Sequence, residues 1–292
     1  NAALLLLLSP MMVFAAPRTE TLLEKGWRFT REDNSLFSTT DFVDNNWQQV
    51  RVPHDWAIYG PFSIDNDKQN VAITQDGQKE AMEHAGRTGG LPFVGPGWYR
   101  ISFDIPEFKE GKKCTIIFDG AMSHANVYIN GEFATSRPYG YTSFNVDATP
   151  FIKEGEKVTL AIRLENLIES SRWYPGAGLY RNVHVVVTED AHVPVYGTQI
   201  TTPVVELDYA KVNLKTKLEM PANKTIEDYT IKTVIKDAKG NIVASNDKNG
   251  CKFDGGIFEQ NFVVENPTLW TLDTPTLYTA ESEIYEGETL KD

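Results

Sequence analysis

Residues 158–165 read VTLAIRLE, an alternation with a strict period of two. The even-numbered residues, from Val158 to Leu164, are large and apolar, whereas the odd-numbered residues are small or polar. Because successive side chains of a β-strand point to opposite faces of its sheet, this pattern predicts a half-buried strand. No stretch of comparable length keeps a helical period, so the first part of the chain is predicted to be an all-β sandwich.

Neighbouring stretches carry the same kind of signal. In residues 99–105, apolar residues at odd positions alternate with polar residues such as Arg100, which is typical of an antiparallel strand with one buried and one solvated face. Asn130 and Gly131 together tolerate the positive φ angles of a tight turn, so they predict a β-hairpin. Further strands are predicted at residues 26–29, 47–56, 112–119, 126–129, 132–135 and 182–188.

The polar segment 189–194 interrupts the strand pattern and marks a domain boundary. Beyond it, residues 212–219 alternate again, and turn signals recur over about a hundred residues, which predicts an immunoglobulin-like sandwich. The predicted domains are therefore residues 17–190 and residues 191–292. Because the chain stops just after a turn at 286–288, we expect the closing strand of the second domain to be truncated. Other strands of this domain are predicted at residues 231–236, 242–246, 258–264 and 277–285.

A loop with an unusual composition lies between the strands predicted at 157–165 and 182–188. Residues 170–181 read SSRWYPGAGLYR, in which two glycines and a proline favour a tight turn. The turn presents Arg172 beside the aromatic side chains of Trp173 and Tyr174, a combination that can bind a polar, flat-faced ligand such as a sugar. The alternative is structural: the two aromatic residues fill the edge of the sandwich while Arg181 pairs with an acid.

Composition excludes some classes of function. The net charge of -12 argues against nucleic acid or an anionic membrane surface as a partner. Aromatic residues make up 11% of the chain, with six Trp, which suits both β-sandwiches and sugar-binding surfaces. The two cysteines, Cys114 and Cys251, fall in different halves of the chain. Cys114 alternates with apolar residues, so we interpret it as a small buried residue and expect no disulfide.

Residues 1–16 form an apolar start that is interrupted by Pro10. This stretch is shorter than the roughly 20 residues that a membrane span requires, so no membrane span is predicted. Small residues precede a possible cut between Ala15 and Ala16, which indicates the remnant of a secretory signal peptide and a periplasmic or extracellular location. The alternative is a buried N-terminal helix.

Residues 57–96 form a long irregular span. Because most connections in compact domains are short, a loop of this length is usually either functional or mobile. Within it, the acidic pattern that starts at Asp65 and ends at Asp76 resembles part of a calcium-binding loop. Asn70 stands where that loop requires glycine, and its twelfth position is Asp rather than a bidentate Glu. We therefore predict a solvated loop without a metal site, and no motif in the chain implies a cofactor.

Seven stretches, taken in order, resemble the N-terminal half of family 2 glycoside hydrolases of the secreted bacterial β-galactosidase type. They are VPHDW at 52–56, GWYR at 97–100, FDGA at 118–121, VYINGE at 127–132, GYTSF at 140–144, RWYPGAGLYR at 172–181 and WTLDTPTLY at 270–278. The resemblance covers nearly everything after the signal sequence, although no single motif carries it.

The resemblance implies a jelly-roll sugar-binding domain, an immunoglobulin-like domain and a downstream (β/α)8 barrel that performs the chemistry. Retaining glycoside hydrolysis requires two carboxyl groups about 5 Å apart. In the family both are glutamates of the barrel, and the acid/base lies in an Asn-Glu pair. No Asn-Glu dipeptide occurs in the 292 residues. No catalytic residue is therefore assigned, and the chain alone is expected to be inactive.

The resemblance also suggests roles for the loop. Counting back from Arg181, Arg172 occupies the place where family members carry an acidic residue that contacts the terminal sugar. Arg172 is therefore expected either to bind substrate or to brace the site through a barrel carboxylate, with Trp173 and Tyr174 beside it for stacking. Residues 89–93 are a second candidate for the rim.

Three hypotheses about function follow. The chain is the accessory region of a β-galactosidase that acts on a β-galactoside-like carbohydrate, a stand-alone carbohydrate-binding module, or an extracellular structural module. The identity of the glycoside is left open, because the residues that select it are expected in the barrel.

Overall fold

The computed structural model describes residues 16–63, 65–66, 68–84, 93–168, 176–246, 251–253 and 255–292. The predicted signal sequence therefore lies outside the described residues, except for Ala16, which is exposed. In the part of the chain that is described, no helix has the length and apolar character needed to cross a membrane.

The first part of the chain folds into two antiparallel sheets and a short ribbon. Its strands are β1 (Thr19–Leu22), β2 (Trp27–Thr30), β3 (Gln48–Val50), β4 (Gln69–Val71), β5 (Met82–His84), β6 (Gly95–Phe103), β7 (Lys113–Phe118), β8 (Ala125–Ile129), β9 (Glu132–Arg137), β10 (Phe144–Asp147), β11 (Val158–Asn166) and β12 (Val183–Thr188). One sheet has the order β1-β12-β7-β10, and the other has the order β3-β2-β6-β11-β8-β9. The span predicted to be irregular thus contains the ribbon β4-β5.

The core of this sandwich lies between its two sheets. The four large apolar side chains of the VTLAIRLE strand all enter it, and Leu160, Ile162 and Leu164 are fully buried. Trp27 and Phe118 pack in the same cluster. Burial of one such side chain contributes about 1.5 to 3 kcal/mol, so this cluster is the main stabilising feature of the domain. The predicted jelly-roll sandwich is confirmed.

The second part of the chain is a smaller sandwich. Its strands are β13 (Thr198–Val205), β14 (Tyr209–Lys217), β15 (Tyr229–Lys236), β16 (Ile242–Asn246), β17 (Cys251–Phe253), β18 (Ile257–Glu265), β19 (Thr279–Glu286) and β20 (Thr289–Leu290). The sheets have the orders β13-β14-β18-β17 and β16-β15-β19-β20, and Tyr229, Ile231, Phe258 and Ile284 are buried between them. The predicted immunoglobulin-like sandwich is confirmed.

Strand β13 was not predicted from the sequence. It is an edge strand that pairs only with β14 among the described strands, and almost all of its side chains are exposed. A strand without a buried face shows no apolar alternation, so the pattern used for the other strands is absent from it.

The hairpin predicted at Asn130 and Gly131 is confirmed. Asn130 has φ +50° and Gly131 has φ +85°, and the two residues connect β8 to β9. The Asn130 side chain also accepts a hydrogen bond from the backbone N–H of Thr159 at 2.8 Å, which ties the turn to β11.

The burial of the outer face of β6 differs from the prediction. Arg100 was expected on a solvated face but is only 2% exposed. The segment between β2 and β3 folds over this face, and Phe37 and Trp47 pack there with Trp98 and Ala161. Nε of Arg100 donates to Oδ2 of Asp44 at 3.0 Å. Its Nη1 donates to the carbonyl of Thr39 at 3.0 Å and to that of Phe37, so the guanidinium is satisfied inside the layer.

Cys114 is a buried free thiol, as predicted. Burial raises the pKa of this thiol to about 12. In a Cys251→Ser variant we therefore expect almost no reaction with a disulfide reagent at pH 8 in the native state, and one full equivalent in guanidinium chloride. Colorimetric thiol titration measures both. Rapid labelling of the native variant would contradict the burial.

The two sandwiches are joined by a clamp around Arg18. The guanidinium pairs with both carboxylate oxygens of Asp292 at 2.7 Å, and Nη2 also donates to the carbonyl of Val193 at 2.6 Å. The backbone N–H of Val193 donates to Oδ2 of Asp292 at 2.7 Å. The segment before β1, the connection between the sandwiches and the segment after β20 therefore meet at one point.

Candidate functional site

The structure describes the base of the loop between β11 and β12. Gly178 exchanges two backbone hydrogen bonds with Met122, each 2.9 Å long. The carbonyl of Leu179 accepts from the backbone N–H of His54 at 2.7 Å. The loop base is thus held by two other segments, which lie far from it in sequence.

Asp55 connects the loop base to the VPHDW motif. Its Oδ1 accepts from the backbone N–H of Ala57 at 2.9 Å, which caps the short 3-10 helix Trp56–Tyr59. The same oxygen accepts from the backbone N–H of Ala177 at 3.0 Å. One carboxylate therefore fixes both the helix and the loop base.

A buried polar pair lies beneath this junction. Nδ1 of His54 and the hydroxyl of Tyr99 are 2.7 Å apart, and the Tyr99 ring is fully buried. Gly178 lies directly against both residues, and a side chain there would meet the His54 carbonyl oxygen at 2.5 Å. Only glycine fits, because its φ of +100° is also unfavourable for other residues.

Burial lowers the pKa of His54 and raises that of Tyr99, because both charged forms would lose hydration. The pair is therefore neutral at pH 7.

The lowered pKa of His54 predicts a pH dependence of stability. The unfolded chain takes up a proton near the ordinary His pKa of about 6.5, whereas folded His54 resists protonation. The contribution of His54 is therefore complete above this pH and is lost as the pH falls from about 6.5 toward the folded pKa. We expect NMR titration to give a pKa below 6.5 for His54. We also expect urea unfolding of a His54→Gln variant to depend less on pH between 7.5 and 5.5 than that of the parent. A folded pKa at or above the ordinary value would contradict this account.

A cleft of about 500 Å³ opens beside the loop base. It is lined by Gln48, Gln49, Val50, Arg51, Pro53, His54, Asp55, Ile58, Tyr59 and Tyr180. The ring of Tyr59 stacks on His54 at 6.0 Å, and Tyr180 donates from its hydroxyl to the carbonyl of Gly140 at 2.8 Å. Arg181, expected in the structural interpretation to pair with an acid, has its guanidinium over the Tyr180 ring at 5.4 Å. The cleft thus combines aromatic faces with amide and charged groups.

The site residues predicted from the sequence, Arg172, Trp173 and Tyr174, lie outside the described residues. Their roles in substrate binding or bracing stay predictions. Of the second rim candidate, residues 89–93, only Phe93 is described, and the guanidinium of Arg31 lies over its ring at 5.1 Å. Within the calcium-like pattern, Asp67 is not described, and Asp65 pairs with Lys68 at 3.0 Å.

The anchoring roles of His54, Asp55 and Tyr99 were missed by sequence reasoning. The motifs that contain them were recognised, but their contacts join positions that are 45 and 122 residues apart. Periodicity carries no information about such contacts.

A jelly-roll sandwich followed by an immunoglobulin-like sandwich defines a modular all-β protein. The family model for the sugar binding domain of glycosyl hydrolases family 2 matches residues 21–189, and that for glycosyl hydrolases family 2 matches residues 191–292. The chain belongs to glycosyl hydrolases family 2 and corresponds to the N-terminal region of such an enzyme.

Individual relatives agree with this assignment. The chain is 36% identical to the beta-galactosidase BoGH2A of Bacteroides ovatus, over 95% of this chain and 31% of the relative. It is 26% identical to a beta-glucuronidase of Formosa agariphila, over 96% of this chain and 29% of the relative. A crystal structure of a glycosyl hydrolase family 2 member from Bacteroides cellulosilyticus superimposes with a TM-score of 0.79 at 28% identity, covering 94% of this chain and 34% of that one. The chain thus spans about a third of the length of these relatives.

Proposed function

We propose that this chain is the accessory region of an exported β-galactosidase that hydrolyses O-glycosidic bonds in carbohydrates. In this proposal the two sandwiches support, and partly line, an active site that a downstream (β/α)8 barrel carries. The observation that carries the proposal is the loop base at 176–181, which Asp55, His54 and Met122 hold at the edge of an aromatic cleft.

The arrangement suits a supporting role. The described base of the loop, residues 176–181, has several backbone hydrogen bonds, so this part of the loop loses little further conformational entropy when substrate binds. In this proposal Arg172, Trp173 and Tyr174 bind substrate or brace the site. Hydrolysis itself requires two facing carboxyl groups, which the proposal assigns to the barrel. In this role the chain contributes binding and orientation but no proton transfer.

The choice of β-galactoside rests on the similarity to the B. ovatus beta-galactosidase. Because another relative is a beta-glucuronidase, the test compares both substrates with the intact enzyme. We expect kcat/KM for nitrophenyl β-galactoside to exceed that for nitrophenyl β-glucuronide by at least about tenfold, a difference of about 1.4 kcal/mol in transition-state binding. Preference for the glucuronide would overturn the substrate assignment.

The assignment of the catalytic carboxyl groups to the barrel, and not to this chain, has its own test. We expect the purified 292-residue chain to hydrolyse neither substrate under conditions in which the intact enzyme does. Turnover by the chain alone would place the carboxyl groups within it and would overturn the proposal.

Export is tested by N-terminal sequencing of the secreted enzyme, which we expect to begin at Ala16.

A further inference from the structure

Strand β19 has an open edge in the second sandwich. On one side, β15 pairs with β19 along its whole length. On the other side, β20 is the only neighbour among the described strands, and it pairs with Tyr285 and Glu286 alone. In the described part of the chain, residues 279–283 thus have no strand beside them on this second side. An unpaired edge of this kind is a template for one more strand.

The direction of the backbone groups along this edge follows from the hydrogen bonds of Ile284. Its N–H donates to the carbonyl of Asp292, and its carbonyl accepts from the N–H of Lys291, each at 2.8 Å. The backbone groups of Ile284 therefore point away from β15. Because the backbone groups of an antiparallel strand alternate between its two neighbours, those of Ala280 and Ser282 point the same way. Ala280 and Ser282 thus present the donors and acceptors that a further strand would use.

An apolar groove of about 290 Å³ opens beside this edge. Its lining includes Ala280 and Tyr278, Ile200 of β13, and Val212 and Val264 of the other sheet. Val264 is only 4% exposed, whereas Ile200 is 52% exposed. The groove therefore reaches from the core of the sandwich to its surface, where it would cover apolar side chains from water.

The edge of β13, on the far side of the groove, is poorly suited to strand addition. Pro203 has no N–H to donate, and the register of β13 against β14 shifts between Thr201 and Val204. Proline and irregular pairing both discourage the addition of a strand to a sheet edge. β19 contains no proline and pairs with β15 in unbroken register. A strand that enters the groove is therefore expected to bond to β19.

We propose that the open edge of β19 binds one more antiparallel strand, which the intact enzyme supplies by continuing β20 along β19. Alternate side chains of this strand are apolar and enter the groove, and the others face solvent. The choice of occupant follows from continuity, because β20 already runs antiparallel to β19 and its backbone contacts extend to Ile284. The inference rests on the proposed function in one respect, namely that the intact enzyme extends beyond these 292 residues.

The test is hydrogen exchange at single-residue resolution, measured by mass spectrometry on the 292-residue chain and on the intact enzyme. In the 292-residue chain we expect the amides of Ala280 and Ser282 to exchange fast, because they point away from β15. In the intact enzyme we expect both to slow by about a hundredfold or more, since each would donate to the added strand. Glu281 and Glu283 are internal controls, because their amides face β15 and are expected to be protected in both proteins.

A variant of the intact enzyme tests the groove. Ile200→Asp places a charge among the apolar side chains of the groove, at a position that is 52% exposed and so tolerates a polar residue. We expect the protection of Ala280 and Ser282 to fall by about tenfold or more in this variant. The matched control is Ile242→Asp, which changes a 61% exposed residue of β16 at the opposite edge of the sheet and is expected to leave the protection unchanged. Circular dichroism of both variants checks that the sandwiches are intact.

Three results would overturn the proposal. Equal exchange of Ala280 and Ser282 in the two proteins would show that the edge stays open in the intact enzyme. Protection that Ile200→Asp leaves unchanged would show that the groove receives no apolar side chains. Protection in the 292-residue chain that is lost on dilution, as light scattering detects monomers, would assign the edge to a second copy. Hydrolysis of nitrophenyl galactoside by the intact enzyme is measured separately, so failure here leaves the proposed function standing.

Discussion

Replacing Gly178 with alanine is expected to lower the free energy of unfolding of the first sandwich by more than about 3 kcal/mol. Two effects add at this position. Gly178 has φ +100°, which a residue with a Cβ atom adopts only at a cost of about 1 to 2 kcal/mol. In addition, the new Cβ would lie 2.5 Å from the carbonyl oxygen of His54 and closer still to the hydroxyl of Tyr99. Both atoms belong to fully packed surroundings and cannot withdraw without breaking hydrogen bonds.

Gly111→Ala is the matched control, because it separates the two effects. Gly111 has φ +90° but no atom within 4 Å of the position of an added Cβ. We expect Gly111→Ala to cost about 1 kcal/mol, and the difference between the two variants measures the clash at Gly178. Urea unfolding followed by tryptophan fluorescence suits the measurement, since five of the six Trp precede residue 190. Equal costs for the two variants would show that the loop base shifts freely, which contradicts the anchoring described for it.

Replacing Arg100 with methionine is expected to destabilise the first sandwich by about 3 to 5 kcal/mol. Methionine fills much of the same volume but donates no hydrogen bond. The substitution would leave Asp44 without its buried partner, and it would leave the carbonyl groups of Phe37 and Thr39 without donors. The segment that covers the outer face of β6 would therefore lose several of the polar contacts that hold it to the sheet, while Phe37 and Trp47 would still pack against Trp98.

Arg51→Met is the control for the loss of an ion pair at the surface. Arg51 pairs with Glu24, but its side chain is 66% exposed, so the expected cost is below about 1 kcal/mol. Hydrogen exchange gives a second measurement, because the amides of residues 34–47 should lose protection in Arg100→Met and keep it in Arg51→Met. A cost for Arg100→Met no larger than that for Arg51→Met would show that water replaces the guanidinium without penalty.

The fold followed from the sequence where a strand has one buried face. Residues 158–165 and the hairpin at Asn130 and Gly131 are such cases, because alternation and turn chemistry are local properties of the chain. Strand β13 was missed because its side chains face solvent on both sides. Arg100 was misplaced because alternation shows which side chains share a face and not whether another segment covers it.

The candidate site was predictable only in part. Glycine and proline marked the loop at 170–181, and the recognised motifs included VPHDW. The contacts of Asp55 with Ala177 and of His54 with Tyr99 were not predictable, because they depend on how distant strands are arranged in the sandwich.

The clamp around Arg18 has a consequence for the path of the polypeptide. Arg18 and Asp292 are 274 positions apart in sequence, yet their side chains touch. The route into the first sandwich and the route out of the second therefore run side by side.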